Sequence, residues 1–290
     1  MPPGAELAPE SITARSKSSF LAGFAFMGEE RRAAMVVIYA FCRVVDDAVD
    51  EAPDVATGRT RLQFWRGELE AVYGGTPATP VGRALQQAAR RFGIPRAPLS
   101  DLLDGCATDL EPGGIVDERA LLEYCYRVAS AVGLACLPVF GADSPGAQRF
   151  AVALGRALQL TNILRDLRGD AEIGRTYVPR TWLDEAGVDP AWLLGTGPDT
   201  AYAPGGGVAR LCQRLAARGA EQFAAAGREL RALPLRERRR LVPARIMGAI
   251  YGDLLHRLVR RGGDLRLPRV RVPKSRRLAL ALLVMAGVRS

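Results

Sequence analysis

The stretch Leu158–Asp170, LQLTNILRDLRGD, has apolar residues at helical spacing and three oxygen-bearing side chains four residues apart. As a helix it places Asn162, Asp166 and Asp170 on one face. It runs into a stop signal, GRTYVP, at Gly174–Pro179. The carboxylates therefore stack toward the negative end of their own helix. Like charges at this spacing cost roughly 0.2–0.5 kcal/mol, and opposing the macrodipole costs about 0.3–1 kcal/mol per group. A second segment, EERRAAMVVIYAFCRVVDDAVD at Glu29–Asp50, ends the same way before Pro53. Tyr39, Arg43, Asp46 and Asp50 share a stripe there, with Asp47 beside them. The same penalties occur twice, so something cationic must offset them.

The chain has 290 residues, 48% of them hydrophobic, enough for a sizeable core. Ala, Leu and Arg dominate, all good helix formers, and runs of β-branched residues are scarce. The formal charge is +9, carried almost wholly by arginine, with Lys17 and Lys274 the only lysines. Such a charge favours anionic partners without choosing among nucleic acid, lipid and phosphorylated substrate. Five scattered cysteines without C-x-x-C spacing read as reduced core thiols. MPPGAELAPE at the start lacks signal-peptide character. The last apolar run, Leu278–Val288, has 11 residues, against the ~20 that span a bilayer. The expected location is cytoplasmic, peripheral at the inner face of the membrane.

The pattern predicts a disordered, frayed tail over 1–14 and a single all-α domain over 15–290, its helices surrounding a central space. Beyond the 29–50 helix, amphipathic helices are expected at about 57–73, 80–92 and 98–110. A largely apolar, buried helix is expected at 118–140, then one at 144–170, and others at 206–231, 234–261 and 274–287. Residues 171–205 read as looser.

A lone D-x-x-x-D is ordinarily a solvated acidic face or an ion-paired one. Two of them at the ends of strongly apolar helices instead suit clusters facing each other across a buried cavity. Carboxylate and amide oxygens without His or Cys suit a hard ion, Mg²⁺ or Mn²⁺, shared with substrate phosphate oxygens. His256, the single histidine, reads as a rim residue, which argues against Ser-His-Asp or zinc chemistry. A reading from another class is a basic, non-catalytic helical protein that binds nucleic acid or anionic membrane through RERRR and RVPKSRR. Such a module has no reason to end apolar helices in paired aspartates.

Four phrases, YAFCRVVDDAVDE, YCYRVASAVG, GRALQLTNILRDLRGDAEIGRTYVP and MGAIYGDLL…RVRVPKSRRLALAL, occur in that order. Over about 16–285 the chain resembles the squalene/phytoene synthase family of head-to-head isoprenoid synthases. YCYRVASAVGL and GRALQLTNILRDL are most similar to a bacterial subgroup that makes presqualene diphosphate from two farnesyl diphosphates, in squalene- or hopanoid-type biosynthesis.

The resemblance implies an all-α isoprenoid-synthase bundle around a deep hydrophobic cavity. It implies Mg²⁺ ligands at Asp46, Asp50, Asn162, Asp166 and Asp170, with Arg43 and Tyr124 also catalytic. Diphosphate contacts carry over to Ser19, Arg43, Tyr124, Arg165, Tyr251, Arg269 and Lys274. Gln159 matches a polar residue beside the reacting carbons. Phe20, Phe24, Tyr39, Cys42, Val128, Ala129, Gly133 and Leu134 match cavity positions for the prenyl chains. The implied partners are two prenyl diphosphates, a separate enzyme that consumes the product, and a membrane surface for that lipophilic product; nucleic acid is not among them. NADPH is not expected. The alternatives are a phytoene synthase using C20 substrates and a squalene synthase that also reduces the intermediate with NADPH; no Rossmann fingerprint is present, GGG at 205–207 not being one. The sequence departs from the family pattern at Gly169, where an acid is usual, and at Cys106, where methionine is common and Asp109 follows nearby. Removing Asp46 or Asp166 is expected to abolish turnover and, by relieving repulsion, to leave metal-free stability level or higher. Gly133→Phe is expected to block the cavity.

Overall fold

Caps and glycines cut the apolar periodicity into helices at defined points. In this computed structural model, residues 2, 4–15, 27–111 and 113–287 are described. Among them every regular element is helical. The first are α1 (Pro9–Arg15), α2 (Glu29–Asp50), α3 (Val55–Gly74), α4 (Pro80–Phe92) and α5 (Arg96–Thr108). Asp54 and Thr79 cap α3 and α4 through the Thr57 and Gly82 amides, each side-chain oxygen satisfying an otherwise orphaned donor. The frayed tail expected over 1–14 differs from the structure. Residues Pro9–Arg15 are helical and pack on α2, with Ala5 and Ile12 buried.

The apolar 118–140 segment is α6 (Glu118–Cys125), a π-helical turn at Tyr126–Ser130, and α7 (Ala131–Phe140). Two glycines account for the position of that turn. A Cβ on Gly105 of α5 would lie 2.8 Å from Arg127 Cβ and Val128 Cγ1. One on Gly155, in α8 (Pro145–Glu172), would lie 2.4 Å from Ser130 Cα. The turn is thus gripped from both sides where only glycine allows the approach. The buried Ser130 hydroxyl donates to Val152 O at 2.7 Å. Segment Glu118–Phe140 is apolar and long enough to cross a membrane by composition, but much of it is buried between α5 and α8.

The remaining elements are α9 (Arg180–Ala186), a 3-10 turn at Pro190–Leu194, α10 (Asp199–Tyr202), α11 (Gly207–Ala232), α12 (Leu235–Arg240), α13 (Val242–Arg261) and α14 (Lys274–Met285). The looser stretch 171–205 therefore carries short helices. They are held by buried Trp182, Leu193 and Tyr202, whose hydroxyl donates to Trp192 O at 2.6 Å. The single helix expected at 234–261 is interrupted at Leu241. Pro243 lacks an N–H and belongs in the first turn of a new helix.

Helices α2–α5, α7 and the first half of α8 enclose one apolar core. The second half of α8, with α6, α9, α11, α13 and α14, encloses another. Helix α8 packs along α11 and ties the two together, whereas α2 hardly touches α8 and is linked to it through α7. The all-α bundle expected from the sequence is the fold observed. All five cysteines are free thiols, four of them buried.

Candidate active site

Helix α2 delivers its acidic end to the gap left between it and α8. The Arg43 guanidinium lies 3.2 Å from Asp46 and 2.5 Å from Asp47. Asp46 keeps 48% of its side-chain surface accessible. Even so, burial and the neighbouring Asp50, Asp47 and Asp109 outweigh Arg43 and push its carboxyl up to about 7. A group that water reaches but protein surrounds lines a concavity. Tyr39 lies one turn before Arg43 and interacts with it electrostatically.

Helix α8 brings the second set. Asp166 is clamped by arginines: Arg165 Nε donates at 3.0 Å, and Arg269 binds bidentately at 2.6 and 2.7 Å. Burial alone would raise its carboxyl, but these charge-assisted bonds win and hold it below the ordinary range. Arg165 also hydrogen-bonds Tyr251. Asp170 lacks such a clamp. Burial and Asp166 push it up to about 7, against the pull of Arg175 and Arg165.

The end of α8 explains how the two motifs meet. Gly174 takes φ +75°, the left-handed conformation that glycine accepts without a steric penalty. The Gly174 amide bonds Ala171 O and the Arg175 amide bonds Asp170 O, a Schellman stop that reverses the chain. Arg175 then reaches back to ion-pair with Asp50 at the end of α2. Next to it, Tyr177 stacks on Tyr124, ring centroids 4.9 Å apart. The Tyr124 hydroxyl donates to Asp109 Oδ2 at 3.3 Å. Burial raises Asp109 to about 6, and Asp50 adds to this, against Arg175 and the two tyrosines. Arg175 and Tyr177 escaped the sequence reading because GRTYVP reads as punctuation; no periodicity shows that a helix stop folds back on a partner 125 residues earlier.

Of the expected residues, Tyr39, Arg43, Asp46, Asp50, Tyr124, Asn162, Arg165, Asp166, Asp170, Tyr251 and Arg269 fall in or beside this carboxylate and arginine cluster. Gln159 lies one turn before Asn162 and accepts from its Nδ2 at 3.3 Å. Val128 and Ala129 sit on the π turn, and Cys42 and Leu134 pack against the first core. Two residues stand apart. A Cβ on Gly133 would meet Ala151 of α8 at 3.5 Å, an ordinary contact, so Gly133 borders α8 and a side chain as large as Phe would press on that packing as well as on a cavity. Lys274 opens α14, exposed and without an ion pair among the described residues. Ser19, Phe20 and Phe24 lie outside the described residues. Gly169 is exposed with open space where a side chain would begin. Cys106 is buried beside Asp46 and Asp109.

The donors suit a hard cation. Oδ1 of Asn162 is buried with no hydrogen-bond partner, and an oxygen in that state needs a donor or a cation. Among the described residues no three of the His, Cys, Asp and Glu side chains close on one point. That suits ions shared with phosphate oxygens and water more than a protein cage. The expectation that removing either aspartate relieves repulsion fits Asp46 alone. Removing Asp166 would strand two guanidiniums.

Residues 13–276 match the family model for squalene/phytoene synthase. The presqualene diphosphate synthase of Rhodopseudomonas palustris is 36% identical over 91% of this chain and 92% of its own. The phytoene synthase of Mycobacterium bovis is 37% identical over 83% of this chain and 78% of its own. A crystal structure of a dehydrosqualene synthase with ligand superposes with TM-score 0.82 at 27% identity, covering 97% of this chain and 95% of that one. With two aspartate motifs meeting at the gap between α2 and α8, and a match over most of its length, the chain belongs to the squalene/phytoene synthase family of head-to-head isoprenoid synthases.

Proposed function

We propose that the chain condenses two farnesyl diphosphates into presqualene diphosphate, releasing one diphosphate and one proton. The observation that carries this reading is the near full-length likeness to a presqualene diphosphate synthase. The arrangement of carboxylates and arginines supports diphosphate chemistry of this kind. Asp46, Asp50, Asn162, Asp166 and Asp170 would hold Mg²⁺, or Mn²⁺ in its place. When bound, the metal supplies positive charge to the diphosphate oxygens as one of them leaves.

The chain's own residues do the rest. Arg43, Arg165 and Arg269 present fixed guanidinium donors to diphosphate oxygens, and their charge favours departure of the anion. Arg269 can take up this role by exchanging Asp166 for phosphate, since its fork fits either anion. The stacked Tyr124 and Tyr177, anchored on Asp109, form an aromatic, weakly hydrated wall beside the carboxylates. Val128 and Ala129 on the π turn and Leu134 on α7 would line the apolar side, where prenyl chains lie away from water that quenches an allylic cation.

The likeness to phytoene synthases motivates a second reading with geranylgeranyl diphosphate. Incubation with either diphosphate and Mg²⁺, with and without NADPH, followed by mass spectrometry of the lipid extract, separates the readings. Presqualene diphosphate accumulating even with NADPH supports the first. Squalene, or a C40 product with farnesyl diphosphate ignored, would refute it. A membrane surface as reservoir for the product, and a separate enzyme consuming it, belong to the same reading.

A further inference from the structure

From Leu265 to Ser290 the sequence has seven cationic residues and no carboxylate. Most of the chain's net charge of +9 resides in this segment. Helix α14 lies within it, and its two faces differ. Leu280, Ala281 and Val284 are buried on the side that packs against α13. Leu278, Leu282 and Met285 are 59%, 52% and 37% exposed. They recur at i, i+4 and i+7, so they form one outward stripe, and Lys274 lies on it one turn earlier. The stripe is not needed to hold the helix in place. Asp253 of α13 does that, accepting from Arg276 at 2.9 Å and from Arg257 on its own helix at 2.7 Å. Neither Lys274 nor Arg277 has an ion pair among the described residues. Val284 also borders an apolar groove of about 450 Å³ between α11 and α13, walled by Phe223, Leu230 and Leu255.

We propose that this face of α14 docks the protein on an anionic lipid bilayer. Apolar side chains enter the headgroup boundary while the surrounding cations meet lipid phosphates. The helix has 12 residues, about 18 Å, so it lies in the interface and does not span. A second copy of the chain fits the face poorly, because pairing would bring two segments without a carboxylate together.

The test is flotation of the full chain with vesicles, separate from turnover, so its failure would leave the synthase reading intact. Binding is expected to phosphatidylglycerol/phosphatidylcholine vesicles, to weaken as salt rises, and to be lost on phosphatidylcholine alone. The variant Leu278→Gln/Leu282→Gln/Met285→Gln changes only exposed positions and is expected to bind roughly a hundredfold more weakly. Arg277→Glu should weaken binding by about tenfold and reads the same contact if the triple variant misfolds. The proposal is overturned if the wild-type chain stays unbound with anionic vesicles, or if both variants bind as tightly as wild type. It is also overturned if sedimentation shows a dimer that the triple variant abolishes while vesicles are ignored.

Discussion

Asp46 and Asp50 on α2 repeat the spacing of Asp166 and Asp170 on α8, yet the two pairs are held differently. In each pair one carboxylate is tied to an arginine from a distant segment: Asp50 to Arg175, and Asp166 to Arg269. The other member, Asp46 or Asp170, is left at about 7 by burial and by its neighbours' charge. The arginine that completes the first motif is positioned by the stop of the second motif's helix. The arginine that completes the second comes from the loop before α14. Identical sequence patterns thus acquire different electrostatics from what the fold brings to them. What remains is a site short of positive charge at two points, where a divalent cation has most to contribute.

Aspartate removal is the largest way to break this comparison. Asp46→Ala and Asp166→Ala are each expected to lower turnover by about a hundredfold to a thousandfold, measured as diphosphate release at saturating Mg²⁺. Their stabilities should split. Without metal, Asp46→Ala melts at or above the wild-type temperature because it removes a repelled carboxylate. Asp166→Ala loses about 1–3 kcal/mol because Arg165 and Arg269 lose their acceptor. Equal shifts in both would dissolve the asymmetry.

Arg175→Ala sharpens it next. It frees Asp50 and removes the cation facing Asp109 and Asp170, so the substrate-free carboxylate cluster should repel itself more. A fall in the Mg²⁺ concentration needed for half-maximal rate, by about tenfold, is expected, because the more negative cluster attracts the cation more strongly; an unchanged requirement would mean that Arg175 is only a surface ion pair.

The pH response tests the under-neutralised pair directly. Asp46 and Asp170 have folded values near 7, above the ordinary 3.8. The folded state therefore holds these protons more tightly than the unfolded state does. Their favourable contribution is complete below about 4 and is lost as pH rises through about 7. Metal-free melting temperature should fall over that window, and Mg²⁺, which needs the ionised forms, should restore it increasingly toward pH 8. Differential scanning fluorimetry across pH 5–8, with and without Mg²⁺, gives the answer; a flat metal-free profile would contradict it.

The smallest effect is at Gly169. Open space at its Cβ position means that Gly169→Glu, which restores the acid usual in the family, should fit without strain. Relative to glycine it should gain up to about 1 kcal/mol of helix propensity, partly offset by repulsion from Asp170. Calorimetry should show a shift near zero or slightly stabilising, and a large loss would mean that the helix end is more crowded than its backbone indicates.

Periodicity alone was enough for the helical fold and for both aspartate motifs, because 3.6-residue spacing and the cost of stacked carboxylates are local properties of a helix. The free cysteines and the helix ends at Thr79, Asp117 and Ser144, where side chains cap the next turn, are legible for the same reason. Tertiary contact decided what each carboxylate meets. Arg175 and Tyr177 lie in a stretch whose local grammar says only stop, and their role comes from a Schellman turn that aims them across the bundle. Gly133 reads as room for a substrate, and only the packing of α7 on α8 shows that Ala151 lies within contact of its Cβ position. The π turn at Tyr126–Ser130 has no local signal, because it exists only where Gly105 and Gly155 let two helices close on it. The resemblance implies Lys274 as a diphosphate contact, and only the fold shows that it opens α14 with its side chain exposed. Helix formation depends on neighbours three and four residues away; charge balance and close approach depend on neighbours a hundred residues away, which only the folded chain brings together.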